Sequence, residues 1–298
     1  MNAIGKLDLH HLIGRKVGSS TLLKELARGG MGVVFTAYQS TLKRQIAVKI
    51  LPKSIITPTS AKVFQQEAEA AAILSHPNII PIYEVGDGDD FLYITMQLIK
   101  GYPLSHYIKR AHKNVLPSRR IIPLKSALNI ITSVLDALDY AHEQGIIHRD
   151  IKPGNILIEG HTARPIIMDF GVARITRNTE GESSMIVGTP IYMAPEQITN
   201  PDVDGRADLY AAAMMLLQML TPRPLFSEIQ SARKLMKMKL ERMDDLLPEM
   251  PSKQNMGVDE EMDRILSKAL SFDPEIRYAR CHDFRAQLAE YVDHHLRN

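Results

Sequence analysis

The fold is decided by one eight-residue stretch, HRDIKPGN, which spans His148–Asn155. An apolar pair precedes this stretch, and the run Ile156–Ile158 leads out of it as a short strand. An acid (Asp150), a base (Lys152) and an amide (Asn155) therefore lie on one loop between apolar segments. These three side chains together are suited to positioning a hydroxyl, a phosphate and a metal ion.

Two further motifs follow this stretch in a definite order. The sequence Asp169-Phe170-Gly171 comes after another apolar run, 19 positions beyond Asp150. A lone Asp-Phe-Gly is more typical of an ordinary turn, but its place after the first motif argues against a chance match. The sequence APE, residues 194–196, then closes the polar segment that begins at Gly171.

A glycine-rich turn lies upstream, in LARGGMGVV at Leu26–Val34. Glycines let the backbone approach a phosphate closely, although a plain hairpin turn is the more common meaning of such a pattern alone. Lys49 follows on the next strand and either lies at an exposed edge or reaches phosphates. Glu67, on the helix after it, is its candidate ion-pair partner, and Glu69 is the rival, with a solvated helix face as its alternative.

The composition is that of a soluble globular protein. The chain has 298 residues, 45% hydrophobic and 23% charged, which is enough for about two domains or lobes and excludes a disordered or collagen-like body. Its 36 basic and 34 acidic residues give a net charge of +2, so the whole chain is not driven toward nucleic acid. The single cysteine, Cys281, excludes an internal disulfide and favours a reducing compartment.

Hydrophobic patterning predicts a strand-rich first third and a helical remainder. The predicted strands are 22–26, 33–38, 45–51, 80–85 and 91–98, with one helix at 61–74 that Thr59 or Ser60 caps. The predicted later helices are 124–145, 206–220, 229–243, 260–270 and 281–296. We expect an α+β protein of two lobes with a cleft between them.

The most apolar stretch, Leu209–Leu220, is too short to span a membrane and predicts a buried helix. The N-terminus lacks a signal-peptide pattern.

Taken in order, these motifs resemble a protein kinase of the serine/threonine type, most closely the bacterial eukaryotic-like kinases. The resemblance covers about residues 20–290. It implies an α+β, two-lobed protein-kinase-like fold, with a small antiparallel-sheet lobe carrying one main helix and a larger helical lobe. The implied boundaries are an N-terminal extension at 1–19, a small lobe at about 20–98, a large lobe at about 99–290 and a tail at 291–298. Lys152, two positions after Asp150, is typical of the serine/threonine type.

The resemblance also implies an activity, which is transfer of the γ-phosphoryl group of ATP to serine or threonine hydroxyls of proteins. The implied cofactors are ATP and Mg²⁺, with Mn²⁺ as an alternative. The implied partners are protein substrates and a second copy of the chain in autophosphorylation, and neither nucleic acid nor membrane contact is expected from this segment. A cytoplasmic location follows, with a membrane anchor outside the segment left open.

The family pattern assigns a role to each motif residue. Lys49 would bind the α- and β-phosphates, oriented by Glu67, and Asp150 would accept the proton of the substrate hydroxyl. Lys152 would steady the transferred group. The metal ligands would be Asn155 and Asp169. The residues assigned to nucleotide binding are Leu26, Ala27, Arg28, Gly29, Gly30, Met31, Gly32, Val33, Val34, Ala47, Lys49, Met96, Gln97, Ile99 and Leu157.

Further residues would support this site. Asp208 resembles the aspartate that anchors the catalytic loop, and Arg277 resembles the arginine that pairs with Glu196. Ala27 departs from the family, which usually has glycine there, and we expect nucleotide binding to persist because a methyl group is small. We also expect substrate recognition to depend on residues 188–193 and on the helix at 229–243.

The segment between Gly171 and Ala194 offers candidate phosphorylation sites. In resembling kinases Arg149 meets a phosphate on this segment, and the candidates are Ser183, Ser184 and Thr179. Thr189 is a poorer candidate because the family uses that hydroxyl to support Asp150.

Two other functions remain as alternatives. A non-catalytic scaffold with a kinase fold commonly loses a counterpart of Lys49, Asp150 or Asp169, and this sequence retains all three. A nucleic-acid-binding module would use the basic residues of a loop at 109–120 and of the helix at 229–243, but few aromatic residues are interleaved with them, which favours a solvated or protein-docking surface.

Overall fold

The computed structural model describes residues 9–29, 32–170, 190–200, 202–229, 231–242 and 249–295, without the side chains of Thr59, Ser60, Val63 and Glu67. The described residues form two compact units. One contains residues 9–75, 79–100 and 170, and the other contains 76–78, 101–169 and the chain from 190 onward.

The first unit is a six-stranded antiparallel sheet with one helix. Its strands are β1 (Lys16–Val17), β2 (Ser20–Gly29), β3 (Gly32–Gln39), β4 (Arg44–Pro52), β5 (Ile82–Asp87) and β6 (Phe91–Gln97), in the order β1-β2-β3-β4-β6-β5. Helix α1 spans Pro58–Ala72. These elements match the five predicted strands and the predicted helix to within a few residues.

The central strands β3 and β4 have one face that is entirely core. Alternate residues of a strand point to opposite faces, and the buried set on this face is Val33, Phe35, Ala37, Ile46, Val48 and Ile50. Leu9, Leu12 and Val17 pack into the same core cluster. Residues 9–17 therefore contribute to the cover over this face of the sheet. The predicted boundary between an extension and the kinase domain remains a prediction.

Helix α1 begins at Pro58, so the predicted caps Thr59 and Ser60 lie inside its first turn. Proline is favoured at the first helical position because its fixed φ is helical and the amide hydrogen that it lacks would have no partner there. The helix buries Phe64, Ala68 and Ala71, at the three- and four-residue spacing of one helix face.

The second unit is mainly helical. Its small sheet has the order β7 (Gly101–Pro103), β8 (Ile156–Glu159), β9 (Pro165–Ile167). Its helices are α2 (Leu104–His112), α3 (Leu124–Glu143), α4 (Pro195–Thr199), α5 (Arg206–Leu220), α6 (Ala232–Arg242), α7 (Glu260–Ala269) and α8 (Cys281–His295). Helices α2 and α4 are absent from the sequence prediction, and the other five are confirmed.

Helix α5 is the centre of this unit. Every residue from Ala207 to Leu220 is buried, which confirms the predicted core helix. Helix α3 packs against α5 and α8 through a stripe of eight buried residues. It ends where the sequence predicts, because Gly145 adopts a φ of +75°, a left-handed conformation that glycine accepts without strain. The predicted α+β class, with a small sheet unit and a larger helical one, is confirmed.

One described helical stretch, Pro117–Glu143, is long and apolar enough to cross a membrane, with a mean hydropathy of 1.5 in its best window. This is weak evidence, because the core helix of a soluble protein meets the same criterion. Within this stretch, α3 already uses its apolar stripe to contact α5 and α8.

Candidate active site

Five of the residues assigned to nucleotide binding lie on one face of the first unit's sheet. Val34 is the register partner of both Ala27 and Lys49, and Met96 is the partner of Ala47. Paired residues of antiparallel strands point to the same side, and Ala47 and Lys49 are two residues apart on β4. All five therefore share the face opposite the core described above.

The turn between β2 and β3 requires glycine at its far end. Gly32 has a φ of +156°, and a Cβ atom there would lie 2.6 Å from the carbonyl oxygen of Ile50. Gly29 is its register partner across the turn. Gly30 and Met31 lie outside the described residues. Ala27, where the family usually has glycine, has no positive φ, so its methyl group requires no strained backbone.

Other assigned residues near this turn have different surroundings. The Val33 side chain is fully buried in the core cluster, on the face of the sheet opposite Ala47 and Lys49. Only its backbone is therefore available to a nucleotide on the Lys49 face. Arg28 binds Glu25 with two hydrogen bonds of 3.0 and 2.7 Å, and this contact lowers the pKa of Glu25. Leu26 is 50% exposed.

Met96 is followed by two more residues that the resemblance assigns to nucleotide binding, Gln97 and Ile99. The Gln97 N–H donates to the Pro81 carbonyl oxygen at 3.0 Å, so this amide is not the group that would donate to a ligand. Ile99 is buried, at 8% exposure.

Lys49 is buried within β4, at 5% exposure, which excludes the exposed-edge alternative. Glu69 is exposed and accepts a hydrogen bond from Gln65 at 3.0 Å, one turn away on the same helix, as expected for a solvated face. Glu67 lies three residues after the buried Phe64 on α1, and its side chain is outside the described part of the chain. The Lys49–Glu67 pair stays a prediction.

In the second unit, the loop His148–Asn155 brings three predicted side chains together; we call it the catalytic loop. Lys152 Nζ donates to Asp150 Oδ2 at 2.6 Å, and Asn155 Nδ2 donates to the same oxygen at 3.0 Å. Asn155 Nδ2 also donates to the Asp150 carbonyl at 2.8 Å. Within the described residues Asp150 Oδ1 makes no hydrogen bond, so this oxygen is left to accept a proton.

His148 is fully buried and supports this loop from inside. Its Nε2 lies 2.8 Å from the Met168 carbonyl oxygen, and its Nδ1 lies 3.2 Å from the Asp150 amide nitrogen. A carbonyl can only accept and an amide N–H can only donate, so Nε2 is the donor nitrogen of this ring and Nδ1 is the acceptor. The ring therefore links the catalytic loop to the residue that precedes Asp169.

Asp208, at the start of α5, holds the backbone of the catalytic loop. Its carboxylate accepts from the amide N–H of His148 at 2.8 Å and of Arg149 at 2.7 Å, and it contacts His142 Nε2 at 2.9 Å. Arg149 has a φ of +64°, an unfavourable conformation for a residue with a side chain. The bonds to Asp208 offset that cost.

The Asp208 carboxyl is completely buried, and burial raises its pKa. The hydrogen bond and charge of His142, together with His148, outweigh this effect, so the pKa lies below its ordinary value.

Asn155 and Asp169 both carry side-chain oxygen atoms of the kind that bind cations. The Asn155 amide nitrogen is used twice within the catalytic loop, which leaves its side-chain oxygen for a cation. Asp169 has a φ of +60°, a second strained residue directly after the strand-like run at 166–168. Oxygen donors alone suit a hard cation such as Mg²⁺. Leu157, assigned to nucleotide binding, lies on β8 two residues after Asn155. It is half-buried and pairs with Ile166 on β9.

Two supporting residues were not found by sequence reasoning. His142 begins a His-Glu pair that resembles an incomplete zinc-protease motif, and it instead contacts Asp208. Gln197 accepts from the Ala194 N–H at 3.0 Å and donates to the Arg149 carbonyl at 3.0 Å. Nothing in the sequence around Gln197 signals this bridge.

The predicted pair of Arg277 and Glu196 is present. Two hydrogen bonds of 2.6 and 2.9 Å join their side chains, and the Arg277 side chain is completely buried. The candidate phosphorylation sites Thr179, Ser183 and Ser184, and also Thr189, lie outside the described residues. Arg149 Nε is buried and has no hydrogen-bond partner in the described part of the chain.

The Asp208→Asn variant tests the anchor. Replacing one acceptor oxygen by an NH₂ group leaves a backbone donor unpaired, and we expect a loss of about 1–3 kcal/mol in the free energy of unfolding. Because the Asp208 pKa is lower in the folded protein, the stabilisation is present above the unfolded pKa of about 4 and is lost as pH falls further. Denaturant titrations from pH 7 to pH 3 should therefore show the difference from wild type shrinking at low pH.

The matched control is Asp89→Asn, at a carboxylate that is 93% exposed. It should change stability by less than about 0.5 kcal/mol. Equal effects of the two variants, or a difference independent of pH, would contradict the proposed anchor.

Comparisons with known proteins agree with this geometry. The protein kinase domain model matches residues 20–292. The serine/threonine-protein kinase PknF of Mycobacterium tuberculosis is 34% identical over 92% of this chain and 56% of its own length, and PrkC of Bacillus subtilis is 33% identical over 95% and 42%. The chain thus spans about half the length of the curated relatives it matches. The crystal structure of the M. tuberculosis PknI kinase domain superposes with a TM-score of 0.74 at 26% identity, over 94% of this chain and 98% of that one. The chain therefore belongs to the protein kinase family, among the bacterial eukaryotic-like serine/threonine kinases.

Proposed function

We propose that this protein transfers the γ-phosphoryl group of ATP to serine or threonine hydroxyls of protein substrates. The observation that carries the proposal is the Asp150 cluster, in which Lys152 and Asn155 both donate to Oδ2 and leave Oδ1 for a hydroxyl. The family membership supports it, as does the retention of Lys49 and Asp169.

In this mechanism the chain's residues mainly position groups and stabilise charge. Lys49 binds the nonreacting phosphates from its place on the sheet face, next to the glycine turn. Asp150 Oδ1 orients the attacking hydroxyl and accepts its proton. The ammonium of Lys152, held by Asp150, faces the developing charge on the phosphoryl oxygens.

The metal requirement belongs to the same proposal. Asn155 Oδ1 and the Asp169 carboxylate would hold Mg²⁺ or Mn²⁺, which neutralises the charge on the phosphate oxygens when bound. The Asn155 side chain is 8% exposed and oriented by its two bonds to Asp150, so its oxygen is preorganised.

We further propose a cytoplasmic location, where ATP and Mg²⁺ are abundant, and phosphorylation of one copy of the chain by another. The single buried cysteine is compatible with a reducing compartment.

The first test is the pair Lys49→Met and Asp150→Asn. Methionine keeps the apolar stem of Lys49 and removes its charge, and we expect phosphoryl transfer from labelled ATP to a peptide library to fall by about 100-fold or more in each variant. The control is Lys24→Met, at an exposed lysine of β2. Near-normal transfer by both variants would assign catalysis to other residues, and a wild-type protein that binds ATP without transfer would favour the scaffold alternative.

The metal is tested by chelation and by Asp169→Asn. EDTA should abolish transfer, and Mg²⁺ or Mn²⁺ should restore it, because the ligands are hard oxygen donors. Asp169→Asn should raise the Mg²⁺ concentration needed for half-maximal rate, while the urea midpoint of the folded protein changes little. Transfer that survives thorough chelation would remove Asn155 and Asp169 from the metal role.

We propose that phosphorylation of the segment between Gly171 and Ala194 activates the enzyme. A phosphoserine adds nearly two negative charges and three acceptor oxygens, and a buried guanidinium nitrogen without a described partner is available at Arg149. The candidate sites remain Ser183, Ser184 and Thr179.

Mass spectrometry after incubation with ATP should find phosphate on at least one of these three residues. The triple variant Thr179→Ala, Ser183→Ala, Ser184→Ala should lose most activity, since the arginine then lacks its anion. The Asp150→Asn protein, incubated alone, should stay unmodified and thereby excludes a contaminating kinase. Unmodified sites, or a triple variant with full activity, would contradict activation by phosphorylation.

A further inference from the structure

Helix α6 contains a buried lysine that the mechanism above does not use. Lys239 is 2% exposed, and its ammonium donates to the carbonyl oxygens of Ile191 at 2.7 Å and Met193 at 2.6 Å. The same nitrogen lies 5.1 Å from the ring centroid of Tyr210 on α5. The three N–H directions of the ammonium are thus used by two carbonyls and an aromatic face.

The other lysines of α6 differ from Lys239. Lys234 and Lys237 are exposed, and Lys237 makes only a 3.5 Å surface pair with Glu241. The sequence analysis treats the basic residues of this helix as one surface. The structure shows that Lys234 and Lys237 are on the surface and that Lys239 is buried.

Burying an ammonium group is costly unless its donors are satisfied. Within the described residues Lys239 has no carboxylate at ion-pair distance. The charged groups that act on Lys239 are those of Glu196 on α4 and Arg277. These two residues bind each other, and Arg277 also lies against the Tyr210 ring at 4.8 Å. Burial lowers the Lys239 pKa to about 7, while Glu196 raises it and Arg277 lowers it.

The two carbonyls belong to a short irregular segment, Pro190–Ala194, which we call the docking segment. It contains neither helix nor strand, so its backbone must find partners elsewhere. Lys239 binds two of its carbonyls, and Gln197 accepts from its last amide, at Ala194, while donating to the Arg149 carbonyl. A continuous set of hydrogen bonds therefore joins α6, the docking segment and the catalytic loop.

Residues Ile191, Tyr192 and Met193 are partly exposed, whereas Lys239, whose ammonium binds two of their carbonyls, is buried. We propose that Lys239 is a positioning residue for protein substrates, holding the docking segment in the conformation that receives the substrate chain without touching it. The proposal rests on the proposed kinase function. The sequence analysis associates residues 188–193 and the later helix with substrate recognition. The bonds of Lys239 physically link the described part of the first region to α6.

The test compares Lys239→Met with Lys237→Met, two equal changes two residues apart on one helix. A serine-containing peptide selected from a degenerate library serves as substrate, and KM is measured for peptide and for ATP together with kcat. We expect Lys239→Met to raise the peptide KM at least tenfold and to leave the ATP KM within twofold, because the docking segment contains none of the residues assigned to nucleotide binding. Lys237→Met should match wild type. An unchanged peptide KM, or an equal rise in both KM values, would overturn the proposal.

A pH series on the wild-type protein gives a second measurement, which does not depend on whether the Lys239→Met variant folds. As pH rises from 6 to 9 the ammonium loses its charge-assisted bonds to the two carbonyls, so the KM of a peptide without titrating groups should rise around pH 7. The charged and titratable groups around Lys239 are Glu196, Arg277, Tyr210 and the neighbouring Tyr192. Burial raises the pKa of the Tyr192 phenol above this range. A flat peptide KM across this range would overturn the proposal.

The two levels of inference fail differently. Active wild-type enzyme with an unaffected Lys239→Met variant overturns the positioning role alone. Wild-type protein that binds ATP but modifies no peptide overturns the kinase function, and the positioning role with it.

Discussion

One buried carboxylate, Asp208, holds the catalytic loop in a conformation that the backbone would not adopt unaided. Arg149 has a positive φ, and the bonds from its N–H and that of His148 to Asp208 offset this strain. The strain matters because it sets the direction in which the next residue, Asp150, leaves the backbone. Asp208 can do this because it lies in a helix that is buried from Ala207 to Leu220 and packed on all sides. The apolar helix and the polar loop therefore form one functional unit.

Side chains from several helices support this loop directly or through an intermediate residue. Gln197 on α4 donates to the loop itself, and His142, in the last turn of α3, contacts Asp208. Lys239 on α6 bonds to the docking segment. None of these residues needs to touch a nucleotide or a peptide. The larger unit therefore connects the geometry around Asp150 to the segment that precedes α4, through side chains that bond to backbone groups.

Most of the helices and strands could be predicted from the sequence, because the spacing of apolar residues indicates which face of an element is buried. This spacing is clear in both units. Sequence reasoning also predicted the Asp150 cluster and the Arg277–Glu196 pair, since these residues stand in motifs with fixed spacing. It missed α2 and α4, which are short and carry little periodic signal. It missed Gln197 and misread Lys239 as surface, because the partners of both are carbonyl and amide groups that every residue possesses. Backbone partners leave no trace in residue identity, and only the folded chain reveals them.

The face of the β3–β4 sheet opposite Lys49 depends on chain that precedes the recognisable family match. The match begins at residue 20, whereas Leu9, Leu12 and Val17 already lie in the same core as Phe35 and Val48. Packed residues are therefore present before the first residue of the family match. A protein shortened to the homologous region would expose a wholly apolar sheet surface to water. The cost would appear as poor solubility rather than as an altered catalytic centre.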